Sequence, residues 1–226
     1  MITLRKAEDR RHVKSRERDT WMTFDPEGAA DSHRRGFRAL DSLNEDRLSP
    51  GMSLFPPARE DVDILTYVLE GRLIRPESSG RLETGEFRRS GAGGNERSRV
   101  LNGSLSDIAR VFQCGLAPGG VAAPEQKRFP TADREGVLRL VASLDGRDGS
   151  LRWAPDVLLY SSVLLLGHHV IHEVAAGRGT WLQVIKGSVL LREHELGAGD
   201  GAALEGEASV ALTARKPAEI LLFDLA

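Results

Sequence analysis

The sequence predicts an all-β protein built from two similar antiparallel barrels. From residue 50 onward, short apolar stretches alternate with Gly, Pro, Asp and Ser. Examples are "DILTYVLEG", "IARVFQCGL", "VLRLVASL", "TWLQVIKGSVLL", "ASVALTA" and "EILLFDL". Their lengths and β-branched content favour strands, and little of the chain shows a sustained 3.6-residue period. An internal repeat adds the second barrel. "YVLEGRL" at Tyr67 aligns with "QVIKGSV" at Gln183, so Gly71 matches Gly187. Then "LETGE" at Leu82 matches "LGAGD" at Leu196, and each half closes on a strand containing Phe, "IARVFQC" and "EILLFDL". The repeated glycines end one strand and begin a return, and the glycine-acid pairs make tight turns. Two copies in one order imply two copies of one antiparallel unit.

Taken in order, residues 1 to about 50 mix acids and bases with loop signals, and "MITLRKA" reads as a candidate edge strand. The bases from Arg5 to Arg18 are broken by Glu8, Asp9, Glu17 and Asp19, the pattern of a solvated surface rather than a nucleic-acid footprint. Both faces of "ILTYVL" are largely apolar, as expected of a strand covered on each side. Cys114, in "ARVFQCGLAP", reads as a small buried hydrophobe. "LAPGGVAAPEQKRFP", 116–130, has the composition of a connector. "SGAGG" and "GAGDG" sit between strands and read as turns, not phosphate cradles.

The bulk numbers narrow the function. With 226 residues the chain can bury two small cores, and 40% hydrophobic with 28% charged residues is ordinary for a globular protein. A net charge of -2 gives no global pull toward nucleic acid or anionic membrane. The apolar run "VLLYSSVLLL" is far short of the ~20 residues of a membrane helix, and the charged amino terminus has no signal core. One cysteine excludes an internal disulfide framework. These features predict a soluble, cytoplasmic protein. The chain holds no Walker loop and no Gly-x-Ser-x-Gly elbow.

"LRKA" with Trp21 and Phe24, "ILTYVLEG", "GEF", "SGAG", "PEQKRF", "RDGSL", "VIKGSV", "DG" and the closing "LLFDL" occur here in one order across the chain. In this the sequence resembles the pirin family of the cupin superfamily. The resemblance implies a bicupin, two jelly-roll β-barrels packed face to face: an amino-terminal barrel over 1–118, a linker over 119–132 and a carboxy-terminal barrel over 133–226. It also implies one metal ion (Fe, Ni, Cu, Mn or Zn) in the amino-terminal barrel, and in some members oxidation of flavonols such as quercetin by O₂. The family pattern supplies His-x-His just before "ILTYVLEG" and a His and a Glu two residues apart after "SGAG".

Counted against that pattern, the first pair falls on Pro57 and Arg59 and the second on Arg97 and Arg99. No histidine occurs between His33 and His168. Guanidinium has donors only and stays protonated. At about 4 Å and an effective dielectric of ~20, one such charge opposes a divalent ion by roughly 8 kcal/mol before screening. The sequence therefore predicts that the metal site is lost and no cofactor is held. Arg59, Arg97 and Arg99, with Asp63 and a rigid apolar lip at Phe55, Pro56 and Pro57, are the candidate ligand-binding residues. They would form a pocket for a small carboxylate or phosphate. The rival is that the arginines pair with Asp61, Asp63 and Glu96 and fill a dead cavity.

Of the remaining histidines, His168 and His172 share one face of a predicted strand in "LGHHVIHEVAAG" and His169 takes the other. Two same-face imidazoles lack a third ligand, so these histidines, with His194, read as surface or loop residues. His12 and His33 read as isolated and exposed. Three functional readings follow. A non-catalytic binding or regulatory protein, with a small anionic ligand or a protein partner, is favoured. A metal-dependent quercetin 2,3-dioxygenase is the alternative. A metal-free enzyme using the arginines, with Glu60, Asp61, Asp63 or Glu96 as base, is the third.

Overall fold

The computed structural model describes residues 1–24, 35–54, 61–76, 80–91, 99–120 and 123–226. Almost every regular element among them is a strand. In chain order these are β1 (Ile2–Arg5), β2 (Arg11–Lys14), β3 (Arg18–Met22), β4 (Leu40–Leu48), β5 (Ser53–Leu54), β6 (Asp63–Glu70), β7 (Arg72–Arg75), β8 (Gly80–Glu83), β9 (Glu86–Ser90), β10 (Val100–Asn102), β11 (Ala109–Leu116) and β12 (Glu125–Arg128). After one helical turn, α1 (Thr131–Arg134), follow β13 (Arg139–Ser143), β14 (Leu151–Arg152), β15 (Val157–Leu164), β16 (His169–Glu173), β17 (Gly179–Leu191), β18 (His194–Gly197), β19 (Gly201–Glu205) and β20 (Ser209–Leu225). No helix among the described residues is long and apolar enough to cross a membrane.

The chain forms two units, Arg11–Arg128 with Trp153–Pro155, and Met1–Arg10 with Phe129–Arg152 and Asp156–Ala226. In the amino-terminal unit a sheet ordered β12-β9-β6-β11-β4-β3-β2 faces a second ordered β5-β10-β7-β8. The central strand is β11, whose run "ARVFQCGL" is buried on both faces. One apolar cluster joins the two sheets: Leu48, Val68, Ala109 and Val111 from the first, Leu54, Leu73, Leu82 and Val100 from the second. In the carboxy-terminal unit the order is β1-β19-β17-β20-β15-β13-β14, with β16 also on β20 and β18 on β17. Leu182, Val184, Leu191, Leu212, Ile220 and Leu222 lie at the centre of its core.

The repeat is visible as geometry. Gly71 and Gly187 both adopt left-handed backbone, with φ of 82° and 70°. Gly71 separates β6 from β7, and Gly187 breaks the β17–β20 register between Lys186 and Ser188. The two Phe-containing strands, β11 and β20, each occupy the middle of a sheet.

Two boundaries differ from the sequence reading. The edge strand expected at the amino terminus exists, but it pairs with β19, through Ile2↔Leu204 to Arg5↔Gly201. It therefore belongs with the carboxy-terminal unit, not with a barrel spanning 1–118. Asp200 holds the end of this segment, accepting bonds from the Ala7 amide at 2.7 Å and Lys6 Nζ at 3.2 Å. The expected linker 119–132 also contains β12, paired with β9 from Glu125↔Arg89 to Arg128↔Glu86. Charged residues on an edge strand discourage further pairing, and they make such a strand look like a loop.

Cys114 is buried in β11, and burial pushes its thiol well above the ordinary range. The thiolate is the reacting species. A disulfide reagent should therefore titrate no thiol in the native protein at pH 8 and one per chain in denaturant. Prompt native reaction would contradict the burial.

Candidate site in the amino-terminal barrel

Cross-strand partners in a sheet share a face. Met22 pairs with Asn44, Asn44 with Gln113, Gln113 with Thr66, Thr66 with Arg88 and Arg88 with Gln126. This row lies beside Thr20–Asp46–Val111–Val68. Because Val111 and Val68 pack against the opposite sheet, the face is the inner one. Polar side chains from four adjacent strands, Asn44, Gln113, Thr66 and Arg88, thus enter the space between the sheets. From across that space comes Arg75, buried on β7 and two residues from the core residue Leu73.

The electrostatics are those of a polar strip on the inner face. Gln113 is buried, and its Nε2 lies 3.5 Å from Thr66 Oγ1, the weak limit of a hydrogen bond. Asn44 Oδ1 is buried and accepts no hydrogen bond from the protein. Leaving such an acceptor unmatched costs about 1–3 kcal/mol, so the position favours a donor from a bound molecule or water. Asp46 receives the Thr20 hydroxyl at 2.5 Å. Burial pushes its carboxyl above the usual range, against the opposing pull of Thr20 and Arg18. Asn44 and Arg88 are three strand spacings apart, about 14 Å between backbones, which their side chains shorten to the span of a small molecule.

The residues expected from sequence are placed differently. Phe55, Pro57, Arg59, Glu60, Glu96 and Arg97 lie outside the described residues. Arg99 is exposed, next to Val100, which is turned into the core. Asp63 is buried on the opposite face, level with Leu116, and its Oδ1 accepts the Gly120 amide at 3.2 Å. The structure therefore does not bring Asp63 and Arg99 together on the inner face. Arg75, Arg88, Asn44, Thr66 and Gln113 went unrecognised in the sequence. The alternation in "EFRRS" marks Arg88 as opposite in face to the buried Phe87, but only register shows which face is inner.

The carboxy-terminal histidines do not converge. His172 is buried, 2.7 Å from Asp224 through Nε2 and packed on the Tyr160 ring, which corrects its reading as a surface residue. His169 Nδ1 meets Thr213 Oγ1 at 2.9 Å, and His194 lies 3.5 Å from Glu193. His12 stacks on Trp21 on the outer face of the amino-terminal sheet. His33 lies outside the described residues. Among the described residues no group of three or more His, Cys, Asp or Glu side chains is arranged to hold a metal.

Residues 140–225 match the family described as the quercetinase C-terminal cupin domain. The quercetin 2,3-dioxygenase of Escherichia coli K12 is 36% identical over 231 residues, covering 100% of this chain and 99% of that protein. The chain belongs to the pirin family. Among solved structures, the bacterial pirin YhhW from Escherichia coli in complex with nickel(II) superposes with a TM-score of 0.88 at 34% identity, covering 100% of this chain and 99% of that one. A pirin-like protein of Caulobacter vibrioides is 28% identical over 203 residues, 87% of each chain. The two cupin units of this pirin are thus the bicupin expected from its sequence.

Proposed function

We propose that this pirin is a binding protein whose amino-terminal barrel takes a small anionic ligand in place of a catalytic metal. The observation that carries the reading is the inward polar row Asn44–Gln113–Thr66–Arg88, with Arg75 opposite. Guanidinium groups recognise carboxylate or phosphate with two parallel hydrogen bonds, and a partly dry cavity strengthens them. Asn44 Oδ1 asks for a donor on the same ligand, so a hydroxy- or amido-substituted acid fits better than a bare anion.

The donor chemistry supports this over metal catalysis. The positions that the family pattern assigns to ligands carry Pro57, Arg59, Arg97 and Arg99, whose side chains offer no lone pair to a cation. Among the described residues of this unit, the imidazole is that of His12, on the outer face. These residues do not fit the metal. The name of the Escherichia coli relative supports a second reading, metal-dependent oxidation of quercetin.

One experiment separates the two. Protein incubated with Ni(II) or Fe(II) and desalted should retain far less than one equivalent and should not consume quercetin. A panel of small hydroxy acids and phosphates should raise the melting temperature, since a ligand at ~100 times its Kd adds about 2.7 kcal/mol. Arg88→Gln should remove that rise. Stoichiometric metal with quercetin turnover would establish the dioxygenase, and a panel without effect would end the pocket reading.

A further inference from the structure

A cavity of about 320 Å³ lies within the carboxy-terminal unit and is lined by Leu144, Asp145, Arg147, Asp156, Leu158 and Arg178. Its volume is at the lower end of small-molecule sites, which run from about 300 to 1,000 Å³.

The charges around it differ in how firmly they are committed. Arg178 is fully engaged. It donates to Asp156 Oδ1 at 2.9 Å, to the Asp224 carbonyl at 2.9 Å and to the Asp224 carboxylate through Nε. Asp145 Oδ1 accepts the Ser143 hydroxyl at 3.0 Å and the Arg147 amide at 3.2 Å, closing its own turn. Arg147 is held loosely: its Nη1 is 3.8 Å from Asp145 Oδ2, and both side chains are about half exposed. Asp156 is 57% exposed and accepts from Arg178 on one oxygen, leaving the other to a ligand. One cation and one carboxylate are therefore available, beside a wall formed by Leu144 and Leu158.

The balance of charge selects the ligand. Two arginines and two aspartates line the cavity. A simple anion drawn to Arg147 would face both carboxylates, and a simple cation drawn to Asp156 would face both guanidiniums. A molecule carrying both charges offsets each penalty with a second attraction. We propose that this cavity binds a small apolar α-amino acid or comparable zwitterion, its carboxylate on Arg147, its ammonium on Asp156 and its hydrocarbon side chain against Leu144 and Leu158.

The test is calorimetric titration of the full-length protein with L-leucine and L-phenylalanine, beside 4-methylpentanoate and 3-methylbutylamine, which carry one charge each. At least one amino acid should bind saturably at one site per chain. Each single-charge analogue should bind about tenfold more weakly or worse, the loss expected for one charge-assisted contact. Arg147→Gln should weaken amino-acid binding by a similar factor without lowering the ligand-free melting temperature, since Arg147 is exposed and only loosely paired. Arg88→Gln, in the other barrel, should leave it unchanged. The proposal is overturned if neither amino acid binds, if an analogue binds as well as its amino acid, or if Arg147→Gln binds as tightly as the parent.

Discussion

Gly187→Ala is expected to destabilise the carboxy-terminal unit strongly, whereas Gly71→Ala, at the matching position of the repeat, should be tolerated. Both glycines have left-handed φ, where a side chain costs about 1–2 kcal/mol. Their surroundings separate them. A Cβ on Gly187 would stand 1.9 Å from the Pro217 carbonyl oxygen and 2.7 Å from its carbon, backbone atoms of β20 that cannot swing aside. A Cβ on Gly71 would stand 3.1 Å from Ala109 Cα and 3.2 Å from its Cβ, tight contacts that a small shift relieves. Overpacking adds about 1–3 kcal/mol at Gly187, for a total on the order of 2–5 kcal/mol. Native domains hold only about 5–15 kcal/mol, so Gly187→Ala should fold poorly or melt far lower. Chemical denaturation followed by circular dichroism checks this. Equal losses for the two substitutions would show that the β17–β20 pair yields where its packing says it should not.

Arg178→Ala should strongly destabilise the same unit, with an acid-dependent signature. Asp224 is almost fully buried, held by His172 Nε2 at 2.7 Å and by Arg178. Burial pulls its carboxyl upward, but the hydrogen bonds and charges of His172 and Arg178 outweigh burial and hold it below the usual carboxylate range. Removing one partner of a buried ion pair costs about 3–5 kcal/mol, and the lower end applies because Arg178 keeps some solvent contact. A depressed carboxyl contributes stability that is complete above its unfolded value, near 3.9, and is lost as pH falls through the folded value. The gap between parent and Arg178→Ala should therefore be widest near neutrality and shrink below about pH 4. Unfolding free energies from pH 7 to pH 3 measure it. A gap that stays constant would mean that Arg178 acts through packing alone.

These two sites differ in how far the sequence announces them. Gly71 and Gly187 stand out because a turn that needs positive φ leaves glycine at a fixed offset in each repeat. Cys114 and the Phe-containing strands were readable because an apolar run between turn residues has few other uses. His172 and Asp224 are 52 residues apart, and no local pattern joins them. The polar row in the amino-terminal barrel is hidden for a related reason. Asn44, Thr66, Arg88 and Gln113 come from four strands, and only pairing register aligns them. The inward arginines among the described residues are Arg75 and Arg88, which the sequence did not single out; of the expected ones, Arg59 and Arg97 lie outside the described residues and Arg99 is exposed. β1 and β12 were misassigned because strand partners are chosen at long range, while composition reports only the neighbourhood.

The placement of β1 has a consequence for how the protein is made and handled. This strand is translated well before its partner β19, with the whole amino-terminal unit encoded between them. The opening residues must therefore wait, unpaired, while the whole amino-terminal unit is synthesised. An expression fragment cut at residue 133 would lack them and would present β19 as a bare edge, inviting self-association.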